Sequence, residues 1–167
     1  MVGRPAVAIR LATDADIPAC AALSDRIHRS VFVWDPGVAY GLPAFKRRID
    51  GEVVTIACVD CRIAGFVSVY RPDNFVHTLY VDLPWHGCGI GRRLLGAGLN
   101  GAARLKCSIA NLPAQCFYQR LGWREVARSG TGPRTGFSTS AICRAAGTAE
   151  PLALSLPRDS AMIAAGR

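Results

Sequence analysis

Along the first half of the chain the apolar positions change rhythm several times. Val7, Ile9 and Leu11 alternate with other residues, the period of a half-buried strand, and beyond Thr13, a suitable helix cap, Ile17, Cys20, Leu23 and Ile27 recur on one helical face. Over residues 31–41 the periodicity stops, and Trp34, Pro36, Gly37 and Tyr40 predict an irregular aromatic loop before a short basic helix at about 44–49. Three runs rich in β-branched and aromatic residues follow at 53–59, 63–70 and 75–81. Their short connections predict an antiparallel meander.

After residue 81 strands and helices alternate. A Gly-rich turn opens a helix at about 89–99, followed by a strand at 105–109, a helix at 112–121, a strand at 123–128 and, beyond a Gly- and Thr-rich stretch at 129–136, a last strand near 138–144. The pattern predicts one α+β domain over residues 1–146 with a mixed, mostly antiparallel central sheet and flanking helices. Residues 147–167 form a tail of weak periodicity, expected to be partly mobile.

With 167 residues, half of them hydrophobic and 19% charged, the composition is that of a globular domain, not a disordered chain. The formal net charge of +8 favours anionic partners without naming one, and because only Lys46 and Lys106 are lysines the excess is an arginine excess that coding bias also explains. No apolar run reaches the roughly 20 residues of a membrane span and the start does not read as a secretion signal, so a cytoplasmic protein without a membrane partner is expected. Seven cysteines, an odd number in apolar surroundings, suit a reducing compartment. Cys58 and Cys61 form a CxxC without a second pair, so no metal is expected. Gly96, Gly98 and Gly101 match GxGxxG at the end of a helix, the wrong place for a dinucleotide fingerprint.

The informative stretch is LYVDLPWHGCGIGRRLL, residues 79–95. Gly87, Gly89 and Gly91 let backbone amides approach a ligand, and a helix start supplies unpaired donors and a positive dipole end, so this is a cradle for an anion. Arg92 and Arg93 add charge at the same mouth, and no Lys followed by Ser or Thr makes it a P-loop. About twenty residues on, NLPAQCFYQRLGW, 111–123, leads from a strand into a helix carrying Tyr118.

Together the two segments resemble the GNAT superfamily of acyl-CoA-dependent N-acetyltransferases. His86, Gly87, Cys88, Gly89, Ile90 and Gly91 match its pyrophosphate loop except at the first position, where the family has Gln or Arg. The resemblance implies a GNAT fold whose sheet is splayed between its fourth and fifth strands to admit the pantetheine arm of acetyl-CoA. Leu79, Tyr80 and Val81 would then offer backbone hydrogen bonds to that arm. His86, Gly87, Cys88, Gly89, Ile90, Gly91 and Arg92 would hold the pyrophosphate, and Asn111 would stand near the cofactor. Tyr118 would give a proton to the departing sulfur. An alkylamine acceptor has a pKa of about 10.4, and freeing its lone pair at pH 7 costs roughly 4 to 5 kcal/mol. His77 resembles a proton-relay histidine of arylalkylamine N-acetyltransferases and is the candidate acceptor of that proton, with water relayed to Asp82, Asp73 or the backbone as its competitor.

His28, Trp34, Tyr40 and Phe45 belong to the segment that lines the acceptor site in that fold. Direct transfer in a ternary complex needs no covalent route through Cys88 or Cys116. The expected acceptor is a small-molecule amine or a peptide or protein amino group, a homodimer is left open, and no specific nucleic acid is expected because no recognised motif for one is present. The alternative is a non-catalytic acyl-CoA sensor, suggested by His86 and by the lack of an obvious carboxylate base.

Overall fold

A computed structural model describes residues 6–31, 39–129 and 139–144. Trp34, residues 130–136 of the Gly- and Thr-rich stretch, and the 147–167 tail lie outside them. Seven strands, β1 (Val7–Leu11), β2 (Val53–Val59), β3 (Arg62–Tyr70), β4 (Phe75–Val81), β5 (Ala103–Ser108), β6 (Arg124–Ser129) and β7 (Thr139–Arg144), form one sheet in the order β1-β2-β3-β4-β5-β7-β6. Among the described residues four α-helices, α1 (Ile17–Val31), α2 (Leu42–Arg48), α3 (Ile90–Gly98) and α4 (Leu112–Arg120), pack against it, with three short 3-10 turns in the connections. The sheet is mixed as expected, with β4 parallel to β5 and every other pairing among the described residues antiparallel.

Alternation of side chains across the strands divides the core into two layers. Val67, Val69, Leu79, Val81, Leu105 and Cys107 face one side, where Ile90, Leu94 and Leu95 of α3 and Ala114 and Tyr118 of α4 cover them. Val54, Ile56, Phe66 and Tyr80 face the other, under Cys20, Leu23 and Ile27 of α1 and Phe45 of α2. Each large apolar side chain removed from water contributes about 1.5–3 kcal/mol. Gly98 allows the close seating of α3, since a Cβ there would stand 2.9 Å from a methyl of Val67.

The connections match the expected meander. At the β2–β3 hairpin Asp60 and Cys61 both take positive φ, 46° and 62°, the conformation of a two-residue turn that bends with the sheet twist. Cys61 of the CxxC is therefore at the turn and Cys58 on the strand.

Candidate active site

The β4–β5 pair is joined at one end only. Phe75 pairs with Arg104 and Val76 with Leu105, and there the parallel ladder stops. That joined end is tied by polar groups: Asn74 donates from Nδ2 to the Asn100 and Ala102 carbonyls, its own carbonyl accepts from the Arg104 amide, and the Arg104 guanidinium meets Asp73 at 2.6 Å. Beyond Val76 the strands separate.

Main-chain direction in the open part follows from antiparallel alternation. Asp82 N–H donates to Ala64 C=O, so with Gly65 opposite Val81 the hydrogen-bonded positions of β4 against β3 are Asp82 and Tyr80. Leu79 and Val81 then turn their N–H and C=O groups toward the gap. Tyr80 does not. Its backbone is committed to Phe66, and its buried ring lies on the α1 side, where the hydroxyl meets His28 Nε2 at 2.6 Å.

The mouth of the gap is the loop before α3. Gly87 and Gly89 adopt φ of 75° and 77°, which turns successive amides outward, and Gly89 caps α3 without a side chain, leaving the first-turn amides of Ile90, Gly91 and Arg92 without intrahelical partners. Gly91 serves packing instead, because a Cβ there would lie 3.1 Å from the Phe117 ring, and the missing side chain lets α3 approach α4. Cys88 is exposed, with its Sγ toward the His86 carbonyl.

Two basic residues in this region differ from the simple expectation. Both arginines are exposed, but Arg93 donates to the Val7 carbonyl at 2.8 Å and so braces β1, which leaves Arg92 as the arginine turned to the mouth. His86 Nε2 lies 2.7 Å from the Val81 carbonyl. A carbonyl only accepts, so His86 carries the Nε2 proton and ties the loop to the end of β4, leaving the Val81 N–H as that residue's gap-facing group.

Tyr118 lies on the inner face of α4, in the cluster that holds Leu79, Val81 and Cys107, with its ring edge-on to Trp123 at 5.3 Å. It is fully buried, and its hydroxyl has no hydrogen-bond partner. Burial, helped by the nearby Cys107 thiol, pushes the phenol well above its ordinary pKa. Asn111 begins α4 as its cap, Oδ1 accepting from the Ala114 N–H at 3.2 Å, while Gln115 ties the same turn to the Ser108 and Ile109 carbonyls.

His77 stands at the joined end of the gap, and its Nδ1 contacts the Glu52 carboxylate. Burial, and then the Lys106 ammonium, lower its pKa below the ordinary histidine value. The His77 ring meets Phe75, whereas the Tyr118 ring meets Phe117 and Trp123, so the two expected catalytic side chains are not in direct contact. The competing carboxylates are occupied, Asp82 by Arg26 at 2.7 Å and Asp73 by Arg104. Of the acceptor-segment residues, Phe45 and His28 are core positions, while Tyr40 is exposed with the Arg29 guanidinium 4.8 Å over its ring. Glu52 escaped the sequence reading because nothing near it in the chain signals a buried carboxylate.

An opened seam between parallel strands, fronted by a glycine-rich helix entrance, is the arrangement that the resemblance to the N-acetyltransferases implies. Residues 50–125 match the family model described as the acetyltransferase (GNAT) domain. Solved structures agree in fold. The ribosomal-protein-S18-alanine N-acetyltransferase of Escherichia coli is 16% identical, with a TM-score of 0.64 over 89% of this chain and 99% of its own. YncA of Salmonella typhimurium, solved with its cofactor acetyl-CoA, is 18% identical with a TM-score of 0.65 over the same shares, 89% and 99%. Arabidopsis thaliana Naa50, in complex with the bisubstrate analogue CoA-Ac-MVNAL, is 16% identical with a TM-score of 0.60 over 83% of this chain and 98% of its own. At these identities the likeness is one of fold. No curated protein matches the chain in sequence. No helix among the described residues is long and apolar enough to cross a membrane.

Proposed function

We propose that the chain transfers an acetyl group from acetyl-CoA to an amine by direct transfer in a ternary complex. The observation that carries this reading is the Tyr118 hydroxyl, fully buried beside the seam with no partner. An unsatisfied buried hydroxyl costs about 1–3 kcal/mol, and a ligand atom in the seam relieves that cost.

The groups along the gap suit coenzyme A from end to end. The amides of Gly87, Gly89, Ile90, Gly91 and Arg92, with the Arg92 guanidinium, would meet the pyrophosphate, as donors at a helix start do, while the Cys88 amide is held by the Trp85 carbonyl and would act by shaping the loop. Leu79 N–H and C=O and Val81 N–H would pair with the pantetheine arm as a further strand does. Tyr80 and His86 would act indirectly, Tyr80 by holding β4 to β3 and His86 by holding the loop to Val81. Asn111 would set the start of the helix that carries Tyr118.

Acetyl-CoA, when bound, supplies an activated thioester. Tyr118 would donate its proton to the sulfur, and its raised pKa keeps that proton in place throughout the physiological range. His77 would accept the proton of the amine. The names of the neighbouring structures support a peptide or protein amino group among the acceptors, with a small-molecule amine as the other class. The six described free cysteines suit a reducing cytoplasm.

The test joins titration calorimetry with coenzyme A to mass-spectrometric screening of amines and peptides with acetyl-CoA. The expected result is a binding heat that survives in Tyr118→Phe, and an acetylated product whose rate falls about 100-fold in that variant. Absence of heat in the wild type overturns the reading. A wild type that binds coenzyme A and acetylates nothing in the panel favours the sensor.

A further inference from the structure

Glu52 lies just before β2, directly after the turn that ends α2, and its side chain is 2% exposed. A carboxylate taken out of water costs several kcal/mol unless it is paired. Its pairing is with one group: Oε1 meets His77 Nδ1, while the buried Oε2 has no partner. Glu52 leads into β2 and His77 lies on β4, with β3 between those strands, so the contact is a product of the sheet and not of local sequence.

His77 occupies a special place on β4. Thr78 pairs with Ser68 and Val76 with Val69, so His77 is the extra residue of a bulge, and bulges re-aim side chains. The last β4–β5 pair is Val76 with Leu105, which makes His77 the first residue of the open seam. At about 3.3 Å per residue it stands about 13 Å down the strand from Val81, at the seam's inner end. Its side chain retains 30% exposure, enough for a proton to leave to water.

We infer that Glu52 is the positioning residue that fixes His77 as the proton acceptor of the site: its carboxylate accepts the Nδ1–H, so the Nε2 lone pair is the one presented to the amine. The inference rests on the proposed transfer reaction and deepens it, because an ammonium group needs such an acceptor whereas an aromatic amine, already neutral, does not. In the step, the ammonium N–H bond breaks and its proton joins Nε2. The imidazolium so formed is held by the Glu52 charge, and the amine keeps the lone pair that attacks. The charged and titratable groups around the pair are Lys106 on β5, which opposes protonation of His77, and Lys46, Asp14 and Asp50, which border the surface recess beside Glu52. The Phe75 ring packs edge-on against His77, with the ring centroids 4.7 Å apart.

The experiment is nitrogen-15 NMR of the full chain labelled at histidine, with His77 assigned through His77→Gln. The expected wild-type spectrum shows neutral His77 as the Nδ1–H tautomer. In Glu52→Gln, which keeps a hydrogen-bond acceptor without the charge, the His77 pKa falls by about one unit or more. A wild-type Nε2–H tautomer overturns the inference even if the variant does not fold, and so does an unchanged pKa in a folded variant. The second arm follows acetylation of tyramine and of aniline by acetyl-CoA against pH. Glu52→Gln is expected to move the acidic limb for tyramine down with the His77 pKa and to lower its plateau about tenfold, leaving aniline nearly unchanged. A tyramine profile that does not move refutes the positioning role. If the wild type acetylates neither amine while the tautomer and pKa behave as expected, the transfer reading has failed for these acceptors, and Glu52 is left without the catalytic purpose inferred for it.

Discussion

At the joined end of the β4–β5 seam the polar groups are tied to one another, and at the open end they face a gap. Asn74, Asp73 and Arg104 close the joined end with side-chain and main-chain bonds, and Leu105 is buried against Val76. A few residues on, Leu79 and Val81 direct backbone groups where no strand answers, and the Tyr118 hydroxyl is unsatisfied. The open end does not collapse because each strand is paired on its outer side: β4 against β3, and β5 with β7 from Ala103 to Ser108. Stability in this molecule is concentrated where the strands join, and unmet hydrogen-bonding capacity where they part, which is how a fold keeps a ligand's place between two strands.

Substitutions can separate the two ends, and the largest expected effect belongs to the joined one. Leu105→Ala should cost about 2–5 kcal/mol in urea unfolding, with coenzyme A affinity unchanged while the protein is folded. A variant that lost affinity at full stability would show that the joined end takes part in binding. Asn74→Ala removes two bonds to carbonyls and puts alanine at a φ of 48°, so a loss of about 2 kcal/mol is expected by the same measurement.

Alkaline pH probes the open end. Because the folded-state pKa of Tyr118 is raised above its unfolded value, its contribution to stability is complete below about pH 10 and is lost as pH rises toward the folded pKa. The unfolding free energy should therefore fall by about 1.4 kcal/mol for each pH unit above 10, and this component should be missing from Tyr118→Phe. Equal slopes in the two proteins would mean that the phenol is not buried in solution.

Smaller effects lie at the mouth. Gly89→Ala meets no neighbour but must hold a φ of 77°, a cost of about 1 kcal/mol, and coenzyme A affinity measured by calorimetry should drop five- to tenfold. The two arginines should divide. Arg92→Ala is expected to weaken coenzyme A about threefold in a salt-dependent way without altering stability. Arg93→Ala should lower stability by about 1 kcal/mol through the lost Val7 bond while sparing the cofactor.

Much of this was legible in the chain because the signals are local. The runs that became β2, β3 and β4 are each dense in β-branched residues, and the glycines at 87, 89 and 91 stand directly before an amphipathic helix. The strand expected at 105–109 begins earlier, at Ala103, because pairing with β7 and the Asn74 ties organise residues of little strand preference of their own. The three glycines look alike in sequence, yet two take positive φ in the open and the third makes room for Phe117. Neighbouring arginines likewise part company, since on a helix residues 92 and 93 point about 100° apart.

Period, turn chemistry and the glycine-rich helix start thus determined, from the sequence alone, the kinds of element, their order and the glycine turn that opens α3, because each depends on residues adjacent in the chain. Three matters were decided only by the tertiary structure: that Tyr80 gives its backbone to β3 while Leu79 and Val81 face the gap, that His86 turns to Val81, and that Glu52 reaches His77 across β3. The reason is register. Which backbone groups face a neighbouring strand, and which distant side chains meet, follows from how strands align, and alignment is a property of the whole sheet.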